Sequence, residues 1–121
     1  MEKDIKKEIF VNSLRRWQNA SSMTETRITL LEQALGGANG GDTRIFDYEM
    51  LEQLFNSTCD TVYAIFPNIK FEVLKDYVGW YLYEVPSMDN PYIEINDEKG
   101  KPKKRFEINT PESLYEFFVQ Y

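Results

Sequence analysis

Ile69-Lys70-Phe71-Glu72-Val73-Leu74-Lys75-Asp76-Tyr77-Val78-Gly79-Trp80-Tyr81-Leu82-Tyr83-Glu84-Val85 carries two periodicities at once. Read at helical spacing, Phe71, Leu74, Val78, Tyr81 and Val85 form one tight stripe. Read at spacing two, Val78, Trp80 and Leu82 alternate with Gly79, Tyr81 and Tyr83, and these residue types suit strands. The stripe persists for four turns, which favours a helix throughout. The rival reading is a short helix ending near Gly79, followed by a strand.

Downstream, Tyr92–Asn96 and Lys104–Asn109 both alternate. Ile93 and Ile95 face one way with Phe106 and Ile108, and Arg105 and Glu107 face the other. Asp97 to Lys103, with Gly100 and Pro102, supplies the turn, so the two runs predict an antiparallel hairpin. Thr110-Pro111-Glu112 then starts a helix: an N-cap, a proline at the first helical position and an acid in the first turn. Leu114, Phe117, Phe118 and Tyr121 give that helix its apolar face. A lone hairpin is marginal in water, so its Ile/Phe face is expected to pack on the helices either side of it in sequence.

Upstream, Asp47 reads as the N-cap of a helix reaching Phe66, stopped by Pro67 and Asn68. Leu51, Leu54, Phe55, Thr58, Cys59, Val62 and Phe66 make its stripe, and Glu49, Glu52, Asn56 and Asp60 line the opposite face. Gly36 to Gly41 holds four of the six glycines. It lacks the Gly-Lys-Ser/Thr of a phosphate loop, and Asp42 would repel phosphate, so it reads as a connector. Before it, Lys3–Asn19 predicts a helix with Ile5, Ile9, Phe10, Leu14 and Trp17 on one broad face. Ser21-Ser22 break the pattern, and Ser22-Met23-Thr24-Glu25 has the form of a capping box. A second helix through Ile28, Leu31 and Leu35 would follow, ended by Gly36-Gly37.

The expectation is one α+β domain spanning residues 1–121. It is mainly helical, with about five helices and one antiparallel β-hairpin before the C-terminal helix. Its core would unite Phe10, Leu14, Trp17, Leu31, Leu51, Phe55, Val62, Leu74, Val78, Tyr81, Ile95, Phe106 and Phe117. A chain of 121 residues that is 42% hydrophobic and 15% aromatic can bury such a core. No apolar run approaches the roughly 18–20 residues of a membrane span. Met1 is followed at once by Glu2, Lys3 and Asp4, unlike a signal peptide. With a single cysteine, Cys59, the chain reads as cytoplasmic.

Residue types exclude much chemistry. There is no histidine, hence no Ser-His-Asp or Cys-His arrangement. One cysteine on an apolar stripe makes neither a thiolate zinc site nor a nucleophile motif. No EF-hand spacing occurs. The sequence therefore points to no catalytic residue, no metal and no cofactor. Glu94 and Glu107, possible neighbours across the hairpin, are the nearest approach to a carboxylate pair.

Charge is uneven. Residues 1–44 carry seven bases and six acids, 45–98 carry two bases and eleven acids, and 99–121 carry five bases and three acids. Lys99, Lys101, Lys103, Lys104 and Arg105 cluster at the hairpin tip. A solvated turn guarding a strand edge accounts for them, and the stacking rings of a nucleic-acid binder are missing nearby. In the acidic middle, counting 100° per residue sets Glu72, Asp76, Trp80 and Tyr83 opposite the stripe of Leu74, Val78 and Tyr81, beside Glu49, Glu52 and Asp60 of the preceding helix. Acids beside a Trp and a Tyr suit a partner with a basic surface: charge steers encounter and rings anchor it. The competing reading puts Trp80 and Tyr83 beneath the hairpin or the last helix.

Asp76-Tyr77-Val78-Gly79-Trp80-Tyr81-Leu82-Tyr83-Glu84, then a short hairpin, then Ile108-Asn109-Thr110-Pro111-Glu112-Ser113-Leu114-Tyr115-Glu116-Phe117-Phe118 resembles small accessory proteins encoded by bacteriophages. The likeness spans the C-terminal third and transfers no functional residue. It implies a phage accessory protein, of a kind that often binds and disables a host or defence component in the host cytoplasm; with the missing catalytic groups, the leading expectation is a non-enzymatic binding protein. The alternatives are a small-molecule or nucleotide binder and, behind it, a carboxylate-dependent enzyme. Self-association stays open.

Overall fold

The computed structural model describes residues 2–35 and 40–121, with side chains at 4–25 and 48–121. The chain is α+β and mostly helical: α1 (Glu2–Leu35), α2 (Gly40–Ile65), α3 (Phe71–Gly79), strands β1 (Tyr92–Asn96) and β2 (Pro102–Glu107), and α4 (Pro111–Gln120). Four α-helices, rather than five, are found among the described residues.

The difference lies in α1, which runs unbroken through Ser21-Ser22. The capping box at Ser22 is not used. Its seam explains why. Phe10, Ser13, Leu14, Trp17 and Thr24 are buried, with Ala20 and Ser21 half-buried between them. That spacing of three and four continues past the serines. The seam turns small and polar there without stopping, and Ser13 satisfies its hydroxyl by donating to the Phe10 carbonyl at 2.8 Å. Tertiary packing overrides a local capping signal. The face is also rotated from the expected one: Val11 is buried, whereas Ile5 and Ile9 are exposed. α1 is helical to Leu35, and the stop expected at Gly36-Gly37 lies outside the described residues.

α2 begins at Gly40, seven residues before the expected cap Asp47. Of the connector expected at 36–41, Gly40 and Gly41 are helical instead, and 36–39 lie outside the described residues. Leu51, Phe55, Thr58, Cys59 and Val62 are buried, and Glu49, Glu52, Asn56 and Asp60 are exposed, as the stripe predicts. α2 lies antiparallel to α1: the Trp17 Nε1–H donates to the Leu51 carbonyl at 3.2 Å, and the Tyr48 hydroxyl donates to Glu25 at 2.9 Å.

The decisive stretch is helical from Phe71 onward, with Ile69 and Lys70 in the turn before it and Phe71 itself exposed. α3 leads directly into a π-helical segment, Trp80–Glu84, and a 3₁₀ turn, Val85–Ser87. The Val85 N–H reaches back to the Trp80 carbonyl, the five-residue bond of a π turn. Leu74, Val78, Tyr81, Leu82 and Val85 are all buried.

α4 starts as expected at Thr110, whose hydroxyl accepts from the Ser113 N–H at 3.2 Å while the Ser113 hydroxyl accepts from the Thr110 N–H. It packs antiparallel along α1. Arg15 donates to both carboxylate oxygens of Glu112 at 3.0 Å, and Lys7 meets Glu116 at 2.9 Å. Beneath these ion pairs Phe10 sits fully buried among Phe66, Tyr115 and Phe118. The hairpin closes on the other side of α4 through Phe106 and Phe117, 5.7 Å between centroids. Of the expected core, Ile95 and Phe106 are only partly buried, because a two-stranded sheet covers its inner face incompletely. Leu31 lies outside the described side chains. The other ten are buried.

Candidate functional site

The π segment decides where the expected partner-facing residues sit. A π turn spreads more residues over each revolution than an α turn, so Tyr83 is displaced from the direction that a uniform 100° count assigns it. Neither ring is sealed: Trp80 is half-buried and Tyr83 is 54% exposed. They open, however, onto different grooves.

Tyr83 leans towards α1 and α2. Its ring meets Trp17 edge-on at 4.9 Å and Phe55 at 5.5 Å. This contact raises the phenol pKa by burial, with the charge of Glu52 adding to it. Together with Gln18, Glu52, Asn56 and Lys75, these rings line an open groove of about 1050 Å³. Tyr81, inward of it, accepts a hydrogen bond from Gln18 at 3.4 Å and has its pKa raised, chiefly by burial.

Trp80 and Asp76 face the opposite way. They line a second groove, about 810 Å³, with Val73, Tyr77, Met88, Asp89, Asn90, Pro91, Tyr92 and Ile93. The chain reaches this groove through Pro86 and Pro91, and between them Asn90 takes a left-handed φ of 54°, a conformation that asparagine tolerates among L-residues. That turn sets Met88 and Asp89 at the rim. Arg105 lies over the Tyr92 ring, 3.8 Å from its centre, and is itself paired with Glu107 at 3.0 Å.

The seven residues read as partner-facing therefore divide. Asp76 and Trp80 belong to the second groove and Glu52 and Tyr83 to the first. Glu49, Asp60 and Glu72 are exposed on α2 and α3 and line neither. Met88, Asp89, Tyr92 and Ile93 join the second groove unforeseen. The available signal was the pair of prolines around Met88-Asp89-Asn90, which turn the chain back over α3.

The carboxylate pair is corrected by the strand register. Glu94 lies opposite Arg105, and Glu107 lies opposite Tyr92. The two glutamates are diagonal, both exposed, and separated by a guanidinium that Glu107 already binds. At the tip, the Asp97 carboxylate accepts the Lys99 and Lys101 N–H groups, both at 2.9 Å, and Gly100 takes φ 82°, which favours glycine. Lys104 lies over Phe106 at 4.7 Å. Cys59 is fully buried, and burial pushes its thiol up to about 11.

Among the described residues no three potential metal ligands converge, and no helix is long and apolar enough to cross a membrane. Searches against protein-family models, curated proteins and solved structures returned no match.

Proposed function

We propose that this protein is a non-enzymatic binding protein that acts by protein–protein contact, and that the groove between α3, the π segment and β1 receives the basic surface of a partner. One observation carries the reading. The groove combines Tyr77, Trp80, Met88 and Ile93 with the carboxylates of Asp76 and Asp89, and no cation is among its described lining residues. Aromatic and methionine side chains provide adaptable contact area, and the carboxylates attract and orient a cationic partner. The resemblance to phage accessory proteins extends the proposal to a host or defence protein, inhibited in the host cytoplasm.

Affinity capture from bacterial lysate tests this with two charge-reversed variants. D76K/D89K should lose the captured protein, whereas E49K/D60K, on a different face, should keep it. Capture indifferent to D76K/D89K overturns the proposal. A small-molecule reading attaches to the other groove, where Trp17 and Tyr83 stand near Lys75, Gln18 and Asn56. Release of an ultraviolet-absorbing compound from denatured, purified protein would favour it.

A further inference from the structure

β1 pairs with β2 and with no other strand among the described residues, so its second edge is free. The direction of that edge follows from the ladder. The Ile108 N–H donates to the Pro91 carbonyl at 2.9 Å, and the register sets Ile93 opposite Phe106 and Ile95 opposite Lys104. In an antiparallel ladder hydrogen-bonded pairs alternate, so Ile93 and Ile95 turn their backbone groups to β2. The N–H and C=O groups of Tyr92 and Glu94 therefore point outward.

The hairpin's two edges are not alike. β2 reads Pro-Lys-Lys-Arg-Phe-Glu: a residue with no N–H, then three cations, the composition that keeps strands from adding. β1 reads Tyr-Ile-Glu-Ile-Asn, without proline or a base and rich in strand-forming residues. Tyr92 and Ile93 point to opposite faces of the sheet, yet both line the groove. The groove thus wraps the free edge of β1 and does not merely lie against one face. Asp76 and Asp89 stand along it, and Glu94 extends the same charge up the strand.

Resting on the protein-binding reading of this groove, we infer that the free edge of β1 accepts an extended, basic segment of the partner as a third strand. Backbone hydrogen bonds to Tyr92 and Glu94 hold the segment. Its alternate side chains enter the groove over Trp80 and Tyr77, and its cations meet Asp76, Asp89 and Glu94. Strand addition draws affinity from the main chain and specificity from every second side chain. It also converts a marginal two-stranded sheet into a three-stranded one.

The test uses a capped seven-residue peptide alternating lysine and valine, and the same peptide N-methylated at alternate amides in each of the two phases. Binding should slow hydrogen exchange at the Tyr92 and Glu94 amides by about tenfold or more, and one of the two methylation phases should weaken affinity by at least about tenfold. D76N/D89N should weaken binding and flatten its salt dependence. Equal affinity for all three peptides, or unchanged exchange at Tyr92 and Glu94 on saturation, overturns strand addition. If D76N/D89N still abolishes binding in that case, the groove remains the binding surface and only the mode is wrong. Failure of the parent peptide to bind at about 1 mM also overturns a basic strand, while the lysate capture judges the wider reading on its own. Peptide binding that is competitive with self-association in gel filtration would make the occupant a second copy of this chain and overturn the partner segment.

Discussion

Replacing Phe10 with alanine probes the junction of α1, α4 and the end of α2. The ring is fully buried and meets Phe66, Tyr115 and Phe118 edge-on, with centroids 6.0, 5.3 and 5.8 Å away. Truncating a core phenylalanine costs about 3–5 kcal/mol in lost transfer energy and residual cavity. Aromatic pairs add roughly 0.5–1.5 kcal/mol each beyond area. Tyr115 and Phe118 are held by α4 and Phe66 by the end of α2, so the void cannot close by one side chain swinging inward. The loss should fall at the upper end, about 4–5 kcal/mol, out of a total stability of roughly 5–15 kcal/mol. Urea denaturation reads this directly. With a slope near 2 kcal/mol per molar, the midpoint should drop by about 2 M while the slope holds. Phe71→Ala is the control, since that ring is 37% exposed and meets Tyr63 at 5.5 Å. It should cost less than about 1.5 kcal/mol. A Phe10→Ala midpoint within about 0.5 M of the parent would refute the packing argument.

Thr110→Ala removes the acceptor for the Ser113 N–H and should cost about 1 kcal/mol, measured as a lower Tm; no change would mean that water caps α4 equally well. Cys59 should resist a maleimide at pH 8 in the folded protein and react once unfolded, because burial pushes the thiol up to about 11. The raised thiol, together with the raised phenols of Tyr77, Tyr81 and Tyr83, makes the unfolded state lose protons first. Stability is therefore fully present below about pH 9 and falls towards pH 11, and a denaturation midpoint that rises over that window would contradict the assignment. Replacing Lys101, Lys103 and Lys104 together with glutamine should move stability by less than about 0.5 kcal/mol, because all three side chains are exposed and the turn is held by Asp97 and Gly100.

Signals that involve a few adjacent residues were read most faithfully where nothing competed with them. Thr110-Pro111 opened α4, Pro67-Asn68 closed off α2, and the two alternating runs marked the hairpin, but β2 spans Pro102–Glu107 rather than Lys104 to Asn109, because the Asp97 carboxylate binds the Lys99 and Lys101 N–H groups and ends the turn before Pro102. The same kind of signal failed at Ser22, where a buried seam through Trp17 and Thr24 outweighed a capping box worth roughly 1 kcal/mol. The stripe from Phe71 to Val85 identified a helix but could not show that its last turns widen into a π segment, because that depends on how Tyr81, Leu82 and Val85 seat in the core. The site was legible to the same degree. Helical phase puts Asp76 and Trp80 on one side of the helix, where both line the candidate groove, whereas Met88, Asp89 and Tyr92 reach them only through the chain reversal around Asn90.

The seam between α1 and α4 also sets a schedule for the growing chain. Lys7 and Glu116 are 109 residues apart in sequence, and Phe10 and Phe118 nearly as far. At translation speeds of about 5–20 residues per second, α1 emerges roughly 5–20 seconds before its cover is made. During that interval the side of α1 carrying Phe10 has no α4 against it, an adhesive strip on a nascent polypeptide. The strip is covered only once Glu116 and Phe118 of α4 have been made.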